Sequence, residues 1–467
     1  MYHVNQTSSY SFARTMYGGI DVFHYTNLVQ DAKVSCEQKI GKQNATIIRT
    51  LVLNGKLTMF LCVAKDKNRK LFVRTYNDSH VPTDSEMSVV EYEGEFDASG
   101  VNTFNIVQSK NGEFVAVEYI GVDPNSENAV VGVQVYDKNL KMLSKSVNPT
   151  PYISREFTVI SRNLSNKGEY YQGVSVYDIS VSGKVVYRNS LKETVVTKYT
   201  STENIRLNLN TSSSQITDKM IVAMELNADL KDEIVCSGIY SVKEQAGLFY
   251  MQLNFDKKDV LYQKYFDLQP GALEEHWLGM NMHQTDQNRS FGQWYESIGV
   301  FRTTAGDMCF VFEQRKSIMS LDSQTHTFSD IIVYKIDKNG EVSWASKANK
   351  TLPEYTEGKA LGGVSWYHTD TELVFFFNDQ YRNYDNSNNY KKVEGSVVVG
   401  AGENAVARAV VDLETGEIKR NRVVINGDTQ EDNIHCIPES FRVDYETREV
   451  YLHFVKKNTE SFGVLKF

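Results

Sequence analysis

Short runs of alternating apolar and polar residues, each broken off by Gly, Asn or Asp, follow one another along almost the whole chain. Clear examples are Phe114-Val115-Ala116-Val117, Val131-Gly132-Val133-Gln134-Val135-Tyr136, Met308-Cys309-Phe310-Val311-Phe312 and Leu373-Val374-Phe375-Phe376-Phe377. A period of two marks a strand, and about 28 such runs at roughly 8 to 12 residues each point to an all-β sandwich, barrel or propeller. The composition agrees: 27 Tyr and 23 Phe against 7 Pro suit a pleated, half-buried surface.

Two kinds of hairpin narrow the choice. One is a tight turn at Asn54-Gly55, Asn111-Gly112 and Ala305-Gly306, where Gly supplies the positive φ of a two-residue loop. The other follows an apolar run ending in Asp: Val135-Tyr136-Asp137, Val176-Tyr177-Asp178, Leu253-Asn254-Phe255-Asp256, Lys335-Ile336-Asp337 and Val411-Asp412. An Asp there closes an Asx turn on its own backbone, a structural task. The first two of these Asp residues lie 41 residues apart and the later ones 75 to 81, spacings of one blade or of blades enlarged by loops. A stack of four-stranded blades accounts for both hairpins, one joining strands one and two, the other strands three and four.

The expectation is therefore a single β-propeller domain of seven blades, with six or eight left open because residues 150–230 are hard to parse. The C-terminal runs Val443-Asp444-Tyr445, Val450-Tyr451-Leu452-His453-Phe454 and Phe462-Gly463-Val464-Leu465 supply three strands and no fourth. Residues 18–40 are expected to complete that blade, since an open edge is a liability.

With 50 Lys+Arg against 59 Asp+Glu the formal charge is −9, which excludes a phosphate-tracking nucleic-acid surface. Cys36, Cys62, Cys236, Cys309 and Cys436 stand far apart with no C-x-x-C pair, against a zinc ribbon or a dense disulfide framework. The first 30 residues hold no apolar run of signal-peptide length, and no stretch of about 18 apolar residues predicts a transmembrane segment.

Function is less legible. Three inserts, residues 265–294, 315–329 and 379–403, map to the face of the disc from which the links between strands two and three, and between blades, emerge. Long loops in a compact domain usually serve binding. The first insert carries Trp277 and Trp294 with Glu274, Glu275, His276, His283, Asp286, Asn288 and Arg289. Leu273, Trp277 and Met280 have the spacing of one apolar helix face. Asn378-Asp379-Gln380-Tyr381-Arg382 opens the third insert, with Trp366 just upstream. The candidate ligand-binding set is thus Trp277, Trp294, Trp366 and Tyr381 as aromatic platforms, oriented by Asn378, Asp379 and Arg382.

No metal or cofactor motif survives its context. His276 and His283 lack the i, i+4 spacing of a helical zinc site. Residues 383–394 imitate a calcium loop through Asn383, Asp385, Ser387 and Glu394, but Asn388 replaces the required Gly and Lys391 is cationic. Gly400-Ala401-Gly402-Glu403-Asn404-Ala405 matches a dinucleotide fingerprint, yet strand rather than helix follows it.

The segments Glu233-Ile234-Val235-Cys236-Ser237-Gly238-Ile239-Tyr240-Ser241, Gly247-Leu248-Phe249-Tyr250-Met251-Gln252-Leu253, Ile332-Val333-Tyr334-Lys335-Ile336-Asp337 and Phe377-Asn378-Asp379 resemble uncharacterised propeller-type proteins of Bacteroidetes. The resemblance spans residues 200–420 and implies an envelope or secreted location; it carries over no catalytic residue. The sequence reading is a non-catalytic binding or scaffold propeller that engages a glycan or protein through the insert face. The alternative is a polysaccharide hydrolase or lyase using carboxylates such as Glu274, Glu275, Asp286 or Asp379. An assembly role, marked by an exposed apolar patch, comes third.

Overall fold

A computed structural model describes the chain apart from residues 94–103, 210–219, 268–294, 351–361, 392–403 and 424–433 and shorter stretches of one to five residues. The fold is an all-β propeller. Among the described residues eight antiparallel blade sheets follow in chain order, here blades 1 to 8, at residues 2–36, 46–93, 104–153, 157–208, 220–267, 295–348, 365–423 and 434–466, with a two-stranded ribbon at 39–44. Eight is one more than the seven expected and within the range left open. In blades 1 to 7 the four strands lie side by side in sequence order. From blade 1 to blade 6 the first strand of each blade touches the first strand of the next, so these innermost strands turn about a common axis.

Period-two alternation becomes blade stacking. Leu373, Phe375 and Phe377 pack with Phe301, Val311 and Val333 of blade 6, whereas Val374 and Phe376 pack with Ile434, Val450 and Leu452 of blade 8. Both faces of blade 7 are buried, which is why this strand reads as an unbroken apolar run. Equivalent clusters join blades 2 and 3, 3 and 4, 4 and 5, and 5 and 6. Each fully buried Phe or Leu in these layers contributes about 1.5–3 kcal/mol. A register slip of one residue would exchange the two faces, so the packing fixes register throughout.

The turns follow the sequence in part. Asn54 and Gly55 both have positive φ, 48° and 74°, as the two-residue hairpin requires. The other Gly turns are longer: Thr303 N donates to Asp307 O around a three-residue loop, and Ser109 N donates to Phe114 O around a four-residue one. Asp137 and Asp337 each accept backbone N–H bonds two and four residues on, and Asp412 accepts those of Glu414 and Thr415. Asp178 is a correction. It sits inside the strand Tyr170–Ser182, at an irregularity in pairing, and bonds Lys192 at 3.3 Å. At Asp256 the turn is closed by Asn254, whose side chain accepts from Lys257 N at 2.8 Å.

Two organisational expectations also change. Ile434–Cys436 and Arg442–Asp444 pair with two ends of the same edge of Glu449–Lys456, and Thr459–Lys466 pairs with its other edge. Among the described residues blade 8 is thus three strands wide, as the C-terminal runs foretold. Residues 18–40 do not complete it among the described residues: Ile20–Thr26 and Val29–Cys36 pair with each other, and Ile20–Thr26 with Ser8–Arg14, within blade 1. Residues 315–329 are not a loop insert either. Met308–Met319 pairs with Gln324–Ile336 as far as Met319 opposite Gln324, so the segment is a long hairpin. The five cysteines are all buried and none is joined in a disulfide, and no helix among the described residues is long and apolar enough to cross a membrane.

Candidate functional site

In an antiparallel blade the links from strand two to three, and from strand four onward, leave at one end. In blade 7 that end holds the Asn378–Arg382 segment. The strand Glu372–Gln380 runs into a 3-10 turn, Tyr381–Asn383, and then into a tight turn in which Asp385 accepts from Ser387 N and Asn389 N. The side chains that suggested a calcium loop are thus spent in part on an Asx turn. Among the described residues no cluster of His, Cys, Asp and Glu is placed to hold a metal ion.

Asn378 and Asp379 point to opposite neighbours. The Asn378 side chain donates to Cys436 O at 2.8 Å and accepts from Cys436 N at 2.7 Å, joining blade 7 to blade 8. Asp379, 1% exposed, accepts from Arg420, from the Tyr384 hydroxyl at 2.7 Å and from the Asn383 amide at 2.9 Å. The Arg420 guanidinium lies over the rings of Phe377, Tyr384 and Tyr390, at 4.8, 5.7 and 4.3 Å. Both polar residues are therefore saturated from within the fold.

Closer to the rim, Arg422 covers the Tyr381 ring at 4.3 Å and Arg382 donates to Gln380 at 2.7 Å. Trp366 lies apart from this group. Its ring packs against Gly299, where a Cβ would meet Cζ2 at 2.1 Å, and its Nε1 donates to Ile298 O at 3.2 Å. Trp277 and Trp294, with Glu274, Glu275, His276, His283, Asp286, Asn288, Arg289 and the apolar spacing of Leu273 and Met280, lie outside the described residues. The structure brings together Asn378, Asp379, Tyr381 and Arg382; Trp366 belongs to the boundary between blades 6 and 7.

A second buried ionic group occupies that boundary. Glu313, fully buried, accepts from Lys350 and from Arg315, and Lys350 also donates to Gly363 O at 2.6 Å. The Lys350 ammonium lies over Phe328 and Phe377, and burial pulls its pKa below the ordinary lysine value. Beside it, burial pushes the Asp330 carboxyl up to about 6, opposed by Lys347 at 3.6 Å and by the Lys350 amide.

The sequence reading missed an open cleft between blades 3 and 4, of about 280 Å³. One wall is the outer strand of blade 3, through Asn148, Pro149, Thr150, Pro151 and Tyr152. The floor is one face of blade 4: Gln172 and Val174, then Val195, Thr197 and Tyr199, then Asn204 and Arg206. These residues are neighbours in register, Gln172 opposite Thr197 and Thr197 opposite Arg206, so every second residue of three adjacent strands faces the same space.

Beneath the floor lies Glu118, fully buried in blade 3 and turned to blade 4. It accepts from Arg162, from the Tyr170 hydroxyl at 2.9 Å and from the Gln172 amide. Burial beside the Glu118 carboxylate drives the Tyr170 pKa far above that of a free phenol. A mixed apolar and polar concavity on rigid strands suits a small polar ligand. Its one sequence signal was Glu118 itself, a carboxylate at an inward position between Ala116 and Ile120.

No protein-family model matches the chain, and no curated protein matches it. Among solved structures it is similar to a polysaccharide lyase at 9% identity and TM-score 0.37, covering 82% of this chain and 85% of that one. An ulvan lyase of a new polysaccharide lyase family gives 8% identity and TM-score 0.38, covering 91% of this chain and 92% of that one. Dipeptidyl peptidase 4 of Porphyromonas gingivalis gives 10% identity and TM-score 0.41, covering 97% of this chain and 59% of the peptidase.

Proposed function

We propose that the protein is a non-catalytic binding propeller and that it takes a glycan in the cleft between blades 3 and 4. The carrying observation is the lining of that cleft, where Tyr152, Pro149 and Phe157 present apolar surface beside the polar groups of Asn148, Thr197, Asn204 and Arg206. Sugars ask for this combination, since their C–H faces pack on apolar surface while their hydroxyls need directed partners. The floor is held by paired strands and by the Glu118 cluster, so little is spent on ordering the site when a ligand arrives.

The hydrolase or lyase reading needs a pair of carboxylates open to substrate. Asp379 is enclosed and bonded to Arg420, while Glu274, Glu275 and Asp286 fall outside the described residues. A location in the cell envelope or outside the cell, as the resemblance to Bacteroidetes propellers implies, belongs to the same proposal.

A glycan array run beside a polysaccharide depolymerisation screen tests it. Binding without turnover is the expected result, together with loss of the array signal in Asn148→Trp, which fills the cleft from its exposed wall at unchanged melting temperature. Turnover of any polysaccharide would reverse the order of the two readings.

A further inference from the structure

We infer that the cleft is built for an acidic sugar whose carboxylate meets Arg206 and whose hydroxyls meet Thr197 and Asn204; this rests on reading the cleft as a glycan site and names its ligand class. The inference comes from the charge at the rim, set against the hydrogen bonds of the floor. Glu118 is a carboxylate and accepts only, so the Gln172 side chain must turn its NH2 toward it and its carbonyl the other way. That carbonyl accepts from the Tyr199 hydroxyl at 2.7 Å. The Tyr199 proton is thereby committed. Thr197, opposite Gln172 in register, lines the cleft beside this chain of bonds, which ends on the buried Glu118 carboxylate, and offers its hydroxyl to a ligand.

The rim has the opposite polarity. Arg206 is exposed, donates to the Tyr152 hydroxyl and lies over its ring at 4.9 Å. Tyr152 in turn donates to Glu193 at 2.6 Å, and the other Glu193 oxygen is taken by Asn208, so this carboxylate is bound beyond Tyr152 and does not line the cleft. The remaining guanidinium N–H groups of Arg206 favour an anionic acceptor. Asn204 accepts from Ser146 at 2.9 Å and Asn148 donates to the same hydroxyl at 3.0 Å, which leaves the Asn204 amide protons and the Asn148 carbonyl for further hydroxyls. A ligand with hydroxyls for the floor and an anion for the rim, within a volume at the lower end of small-molecule sites, is a uronate unit more than a neutral hexose.

Ligand-observed NMR titration of the full chain with methyl β-D-glucuronide and methyl β-D-glucoside tests the inference. The expected result is binding of the glucuronide about tenfold more tightly than the glucoside, falling with salt. Arg206→Met should abolish that preference, bringing the glucuronide down to the affinity of the glucoside, while Thr197→Val should weaken both. Thermal melts of the two variants check that the fold is retained. Equal affinity for the two glycosides, unaltered by Arg206→Met, overturns the acidic-sugar inference and leaves the glycan cleft standing. Binding of neither overturns the inference too, and the array with Asn148→Trp then decides the cleft separately.

Discussion

The side-chain amide of Asn378 pairs with the backbone of Cys436 as a strand would, giving one N–H and taking another at 2.8 and 2.7 Å. It replaces a ladder rung between two blades whose strands do not otherwise pair there. Asn378→Ala orphans two buried backbone groups, each worth about 1–3 kcal/mol. We expect a loss of about 2–4 kcal/mol in urea unfolding; a ligand-orienting role would instead leave the urea midpoint in place and weaken only binding.

Glu313 and Lys350 form a pair enclosed at the boundary of blades 6 and 7. Removing one partner strands the other, at a cost of about 3–5 kcal/mol, whereas an apolar replacement of both is often neutral. Lys350→Met should therefore be severely destabilising, and the double variant Glu313→Leu with Lys350→Met should recover most of the loss. Equal instability of single and double variants in chemical denaturation would sink this account.

Asp330 carries the pH dependence of the same region. Its folded pKa of about 6 lies above the ordinary 3.8, so the folded state binds the proton more tightly. Stability from this group is present at low pH and is lost as pH rises through that window, by on the order of 2–3 kcal/mol between pH 4 and pH 7. Asp330→Asn should gain on the wild type by that amount over the same range, measured by urea unfolding at both pH values.

Trp366 and Gly299 separate packing from recognition. Gly299→Ala drives a methyl into the indole and should cost about 1–3 kcal/mol. Trp366→Ala removes a ring held by Phe301 at 5.8 Å and by Ile298 O, and should cost about 3–5 kcal/mol. An unchanged melting temperature for Trp366→Ala would return this residue to the binding surface.

Much of the architecture was readable because blade packing translates directly into alternation. Leu373 through Phe377 show it, each residue assigned to one neighbour by parity alone. The aspartates at 137, 337 and 412 were readable because an Asx turn is local. Asp178 misled because a strand irregularity and a turn look alike when the partner strand is unknown. Residues 315–329 misled because polar residues on the long hairpin resemble a loop. The cleft was hidden for a different reason: Glu118 meets Arg162 and Gln172 at separations of 44 and 54 residues, and only the stacking of two blades supplies that proximity.

The buried thiols give the propeller a built-in clock. Cys36, Cys62, Cys236, Cys309 and Cys436 fall in five different blades, and burial pushes Cys309 and Cys436 up to about 12, where almost no thiolate exists at neutral pH. A labelling reagent can reach each sulfur only while its own blade is ajar. The order in which the five become modified, resolved by mass spectrometry, would rank the blades by how often they breathe.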